Sequence, residues 1–135
     1  MTENSRSQTA SARCPFCSPA AIVLRNDLAY ARWDGYPVSP GHMLIIPFRH
    51  VASFFDASTQ ERRAFFALLD EAQALLNRER SPDGYNLGLN IGAAAGQTVM
   101  HCHLHVIPRY RGDHSDPRGG VRWVLPGKAA YWVDE

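Results

Sequence analysis

The stretch QTVMHCHLHVIPR, Gln97 to Arg109, places three of the chain's 6 histidines at alternate positions. Successive side chains of a strand point to opposite faces. Read as a strand closed by Pro108, the stretch puts His101, His103 and His105 on one face and Cys102, Leu104 and Val106 on the other. The second set suits a core beneath a helix. The first does not, because each buried imidazole needs its own polar partner. Same-face neighbours along a strand lie about 6–7 Å apart, which leaves room for a metal ion or a phosphate to be shared between them.

The rest of the chain supplies a sheet for this strand. AIVL (Ala21 to Leu24) and LAYARW (Leu28 to Trp33) flank Asn26-Asp27 and predict a hairpin. DGYPVSPG (Asp34 to Gly41) is a Gly/Pro loop, and HMLIIP (His42 to Pro47) predicts a well-buried strand ended by proline. YNLGLNI (Tyr85 to Ile91) alternates as a strand does, and GAAAG (Gly92 to Gly96) is a small-residue loop. One long helix is predicted from Ser58, which forms an S-x-x-E capping box with Glu61. Phe65, Phe66, Leu68, Leu69, Ala72, Leu75 and Leu76 follow at helical spacing. Arg78 and Arg80 suit the last turn, and Pro82 and Gly84 lie just past the end. RHVASFFDA before it predicts a short helical turn. The expected class is α+β: an antiparallel sheet with one main helix on a face.

Composition narrows the function. The 135 residues suit one domain, 45% hydrophobic and 20% charged. With 14 basic against 13 acidic residues the net charge is +1, which argues against a nucleic-acid polymer as the main ligand but leaves a small phosphate ligand open. No apolar run is long enough to span a membrane. The polar start MTENSRSQTASAR lacks the apolar core of a signal peptide. It is expected to be a disordered leader (residues 1–12) on a cytoplasmic protein. An odd set of cysteines, Cys14, Cys17 and Cys102, does not suggest a disulfide scaffold.

Three readings of the alternating histidines stand at this point. They are a polar solvated face, a catalytic zinc site, or a nucleophile whose neighbours hold a phosphate. The zinc reading lacks its partners: VIPRYRGD supplies no nearby Glu, and Leu104 and Val106 stand where an H-x-H-x-D-H hydrolase needs Asp.

His101 to Ile107 matches the H-φ-H-φ-H-φ-φ signature of the histidine-triad (HIT) superfamily. The resemblance extends over most of the chain. PGHMLIIPFRHV (Pro40 to Val51) is similar to that family's G-H-x-L-φ-φ-P strand, and GAAAGQTVMHCHLHVIPR (Gly92 to Arg109) to its glycine loop, Q-[ST]-V and triad. The resemblance implies a five-stranded antiparallel sheet with one main helix and a short one, paired across a two-fold axis into a homodimer with a joined sheet. It implies a catalytic domain over residues 13–110. The tail, 111–135, rich in Trp, Gly and Pro, is expected to pack on or near the site.

The implied activity is hydrolysis at the α-phosphate of an adenine dinucleotide polyphosphate or related nucleotide. His103 would attack phosphorus, forming a nucleotidyl-histidine, and water would release the nucleoside monophosphate. His105 would donate to the phosphate. Asn90, Gln97 and Thr98 would contact phosphates, and Asp34 would bind the ribose hydroxyls. Simpler readings stand beside these: Asp34 as a turn residue, Asn90 as a strand end, Thr98 as a strand residue. Gly92 and Gly96 would let backbone approach an anion. His42 would support the active strand or touch ligand. Alternatives are an adenosine phosphoramidase on the same fold, a nucleotidyl transferase, and a nucleotide-binding protein with little catalysis.

CPFC, Cys14 to Cys17, is a redox motif, a metal half-site or an accident. Redox pairs usually open a helix after a strand, and a zinc ribbon needs a second cysteine pair, so histidines must complete any metal site. The resemblance implies a structural zinc on Cys14, Cys17, His50 and His101. Cys102 is expected to face the core and be inert.

Overall fold

The computed structural model describes residues 14–132, so the expected leader lies outside the described residues. Five strands form one antiparallel sheet: β1 (Leu24–Arg25), β2 (Ala29–Trp33), β3 (Met43–Pro47), β4 (Gly84–Leu89) and β5 (Leu104–Arg109), in the order β1-β2-β3-β5-β4. The one α-helix among the described residues, α1 (Thr59–Arg80), crosses one face. Among the described residues no helix is long and apolar enough to cross a membrane.

α1 begins where its sequence predicts. Ser58 accepts from the Glu61 N–H at 3.0 Å, and the Glu61 carboxylate accepts from the Ser58 N–H at 2.8 Å, so both halves of the capping box satisfy otherwise orphaned donors. Arg49 adds a two-pronged bond to the same carboxylate at 2.9 and 2.8 Å. The helix stops at Ser81, which sits in the left-handed region (φ 49) with its N–H on the Leu76 carbonyl, and Pro82 prevents continuation. The short turn expected before α1 is a 3-10 turn, Phe54–Asp56.

Alternation in the strands sorts two cores. Ala29, Ala31, Met43, Ile45, Leu104 and Val106 pack under Phe65, Leu68, Ala72 and Leu76 of α1. The opposite face carries a smaller cluster of Tyr30, Leu44 and Ile46, covered by Cys14 and Phe16 of the N-terminal loop. Cys102 belongs to the helix-side core, and burial pushes its thiol up to about 12, which keeps it protonated and unreactive.

One boundary differs from the sequence expectation. β5 begins at Leu104, not at Gln97, and runs past Pro108 to Arg109. His101 and His103 therefore precede the ladder, and only His105 lies within it, opposite Leu44. The cause is local competition for carbonyls. The His101 Nε2–H donates to the Pro47 carbonyl at 2.8 Å, and the His103 Nδ1–H donates to the His101 carbonyl at 2.8 Å. Imidazoles thus occupy carbonyls that a longer ladder would use, and Pro47 has no N–H to offer. Cys102 keeps one bond, its N–H to the Val51 carbonyl at 2.7 Å.

Candidate functional site

The N-terminal loop folds back so that Cys14 and Cys17 meet His50, just after β3, and His101, just before β5. Their ligand atoms all lie within 4.8 Å of one another. Sγ of Cys14 and of Cys17 are 3.5 and 3.6 Å from His101 Nδ1, and Cys17 Sγ is 3.1 Å from His50 Nδ1. A tetrahedral ion with Zn–S of about 2.3 Å and Zn–N of about 2.0 Å has S···N edges of about 3.5 Å, so the donors already stand near the right separations. The bond from His101 Nε2–H to Pro47 fixes the tautomer that leaves Nδ1 free as a ligand. Burial pushes His101 down to about 4, which keeps the ring neutral, the form that binds a metal. These four residues form a donor set able to hold a metal ion.

The other two triad histidines border a cavity of about 500 Å³, lined by Phe16, Asp34, Asn90, Thr98, His103 and His105 among others. His103 is buried, and its Nδ1–H donates to the His101 carbonyl, which selects the neutral tautomer with its lone pair on Nε2. His105 is oriented by a chain of bonds. The Val38 N–H donates to His42 Nδ1 at 3.1 Å, so His42 carries its proton on Nε2. That proton faces His105 Nδ1 at 2.9 Å, with Asp34 Oδ2 at 3.3 Å from the same nitrogen. His105 Nδ1 is therefore an acceptor, and its proton sits on Nε2. Burial, with smaller contributions from His103 and His42, pushes His105 down to about 4, and burial also lowers His42 against the opposing pull of Asp34.

Asp34 lines this cavity and also caps its own turn, where Oδ1 accepts from the Tyr36 N–H at 2.7 Å. Asn90 and Thr98 border the cavity with exposed side chains. Gln97 is buried, its Oε1 accepts from the Gly92 N–H at 2.8 Å, and its Nε2 donates to the carbonyls of Ala52 and Val99. With its amide so committed, Gln97 braces the loop. Gly92 (φ 91) and Gly96 (φ 94) turn the loop; their N–H groups go to Gln97 and to the Ala93 carbonyl, and a Cβ at either would meet nothing within 4 Å.

Phe16 is the participant that sequence reasoning passed over. It packs edge-on against His103 with ring centroids 5.1 Å apart, and against His101 at 6.0 Å. Its carbonyl accepts from the buried Tyr30 hydroxyl at 2.7 Å. The signal was present in CPFC: an aromatic between two cysteines that meet His101 is carried to the triad.

The family model described as the HIT domain matches residues 16–112. The chain belongs to the HIT family. This HIT protein is 37% identical over 93 residues to a Mycobacterium tuberculosis protein named AP-4-A phosphorylase, covering 68% of this chain and 48% of that one. It is 35% identical over 95 residues to a Schizosaccharomyces pombe asymmetrical bis(5'-nucleosyl)-tetraphosphatase, covering 70% and 52%. The chain thus spans about half the length of these curated relatives. Among solved structures, a Zn-bound histidine triad family protein from Mycobacterium smegmatis superposes with a TM-score of 0.69 at 31% identity, covering 77% of this chain and 80% of that one.

Proposed function

We propose that this HIT protein hydrolyses an adenine dinucleotide polyphosphate or a related nucleotide at its α-phosphate, with His103 as nucleophile. The observation that carries the reading is the His103 Nδ1–H bond to the His101 carbonyl at 2.8 Å. It presets the tautomer whose Nε2 lone pair can attack without a separate base. Nε2 forms a bond to the α-phosphorus, the P–O bond to the nucleoside polyphosphate breaks, and that electron pair leaves with the departing oxygen. His105, with its proton on Nε2, donates a hydrogen bond to the phosphate or the departing oxygen. Asn90 and Thr98 donate to the phosphate, and Asp34 accepts from the ribose hydroxyls. Water then attacks phosphorus, the P–N bond breaks and the nucleoside monophosphate is released. The names of the Mycobacterium tuberculosis and Schizosaccharomyces pombe relatives support this substrate class.

The test is single-turnover and steady-state hydrolysis of diadenosine tetraphosphate. His103→Ala is expected to lower kcat/KM by about 10⁴-fold or more, with no adenylylated protein trapped by a denaturing alkaline quench, in which the P–N bond survives. Equal turnover by His103→Ala and wild type sinks the assignment. Within the same reading, Cys14, Cys17, His50 and His101 hold a structural zinc, closed to substrate because all four positions come from protein. The zinc supplies cross-linking, not chemistry.

The protein is read as a two-fold dimer joined along β4. Support comes from its place at the sheet edge, with Leu87 44% exposed beside Leu69 and Tyr85 of a shallow groove. The expected solution mass by light scattering is that of two chains, and a concentration-independent single-chain mass removes this part of the reading.

A further inference from the structure

A second cavity, about 490 Å³, lies beyond His105 and shares Val38, His42, Asn90 and His105 with the catalytic one. His103 borders only the first. Its outer wall is the C-terminal segment, through Val121, Trp123 and Val124. We propose that this cavity is the subsite for the distal nucleoside of a dinucleoside polyphosphate, a proposal that rests on the hydrolase reading above.

Position is the first argument. In-line displacement at phosphorus places the departing oxygen opposite the nucleophile. The leaving group therefore departs on the side away from His103, and the second cavity adjoins the first through His105 without bordering His103. The electron pair of the broken P–O bond leaves with the nucleoside polyphosphate, whose distal end this adjoining cavity has the room to take.

The wall is also a built element. Gly119 (φ 92) and Gly120 (φ 47) turn the segment onto β4, and a Cβ on Gly120 would meet Asn86 Nδ2 at 3.1 Å, so the approach is close. The Arg118 guanidinium lies 4.7 Å from the centre of the Trp132 ring, and that of Arg122 lies 4.7 Å from Tyr131. Arg122 also donates to the carbonyls of Ala129 at 2.9 Å and Lys128 at 2.7 Å. The Trp123 Nε1–H donates to the Arg118 carbonyl at 2.7 Å. These contacts hook the segment onto itself. They do not consume Val121 and Val124, which stay 60% and 74% exposed while bordering the cavity.

The chemistry of the lining fits a nucleoside. The Trp123 ring offers a stacking surface, the valines and Ile107 an apolar rim, and Asn86 and Asn90 amides for polar edges. A planar base with a polar edge uses all three, and the volume lies in the range of small-molecule sites.

The test compares diadenosine tetraphosphate with adenosine tetraphosphate, which has the same phosphate chain and no distal nucleoside. Wild type is expected to prefer the dinucleotide in kcat/KM. Trp123→Ala is expected to reduce that preference about tenfold through lost base stacking, and Trp123→Phe to retain most of it. Val121→Ser reads the same ratio should Trp123→Ala fail to fold. A preference unchanged by these variants overturns the subsite, as does an equal loss on both substrates, which marks the segment as structural only. If sensitivity to Trp123 appears with an aryl amide of AMP and not with the dinucleotide, the occupant is a group bonded directly to phosphorus and the assignment falls. Failure of the hydrolase reading looks different: wild type itself then releases no AMP from any of these substrates.

Discussion

Two clusters flank His103, and each takes in one of its triad neighbours. On one side His101 joins Cys14, Cys17 and His50; on the other His105 joins Asp34 and His42. In both, the donor atoms lie within 4.8 Å of one another, so proximity alone does not distinguish them. Donor type and hydrogen bonding do. The first set has two soft sulfurs, and Cys14 and Cys17 Sγ stand 3.5 and 3.6 Å from His101 Nδ1, close to the edges of a zinc tetrahedron. The second has no sulfur, and the Val38 N–H on His42 Nδ1 leaves a proton on His42 Nε2 that faces His105 Nδ1 at 2.9 Å. The first cluster has the donors to hold a cation, and the second shares a proton. The same residue type serves both because imidazole can present either nitrogen as donor or acceptor, and its second bond decides which.

The comparison can be broken most sharply at the cysteine side. His101→Ala or Cys14→Ser is expected to abolish stoichiometric zinc, measured by plasma emission on freshly purified protein, and to lower unfolding stability by more than about 4 kcal/mol. His103→Ala, between the clusters, is expected to retain zinc and change stability by only about 1 kcal/mol. Wild-type protein purified with no metal, and as stable as after chelation, would show the two clusters to be alike.

A smaller effect sharpens the other side. His105 has its folded-state pKa pushed down to about 4 by burial, against about 6.5 when unfolded. The unfolded state therefore binds protons first. The contribution is fully present above pH 6.5 and is lost as pH falls toward 4, by about 3 kcal/mol at most. Urea titrations at pH 7, 5.5 and 4 should show this slope in wild type and a shallower one in His105→Asn. Equal slopes would mean that the His42–His105 contact does not depend on neutral rings.

Much of this was legible in the chain. Alternation assigned Cys102, Leu104 and Val106 to the core because two faces of a strand meet two solvents. The Ser58–Glu61 box marked the helix start because those side chains satisfy donors three residues apart, a local matter. The start of β5 was not legible, since it depends on His101 reaching Pro47, 54 residues away. The bracing of the loop by Gln97 was not legible for a related reason: its amide meets Gly92, Ala52 and Val99 only once the loop closes.

What the sequence determined by itself was the set of chemical parts: three imidazoles in alternation, a cysteine pair, a capped helix and enough apolar alternation for a two-sided sheet. These follow from residue type and short-range period, which backbone geometry converts directly into faces. The tertiary structure alone decided the division of labour among identical side chains. It set which nitrogen of each ring is bonded, which histidine stands by sulfur and which by carboxylate, and where the C-terminal segment lies against β4. Those choices rest on contacts between residues far apart in the chain, and an imidazole has no preference between its nitrogens until such a partner arrives.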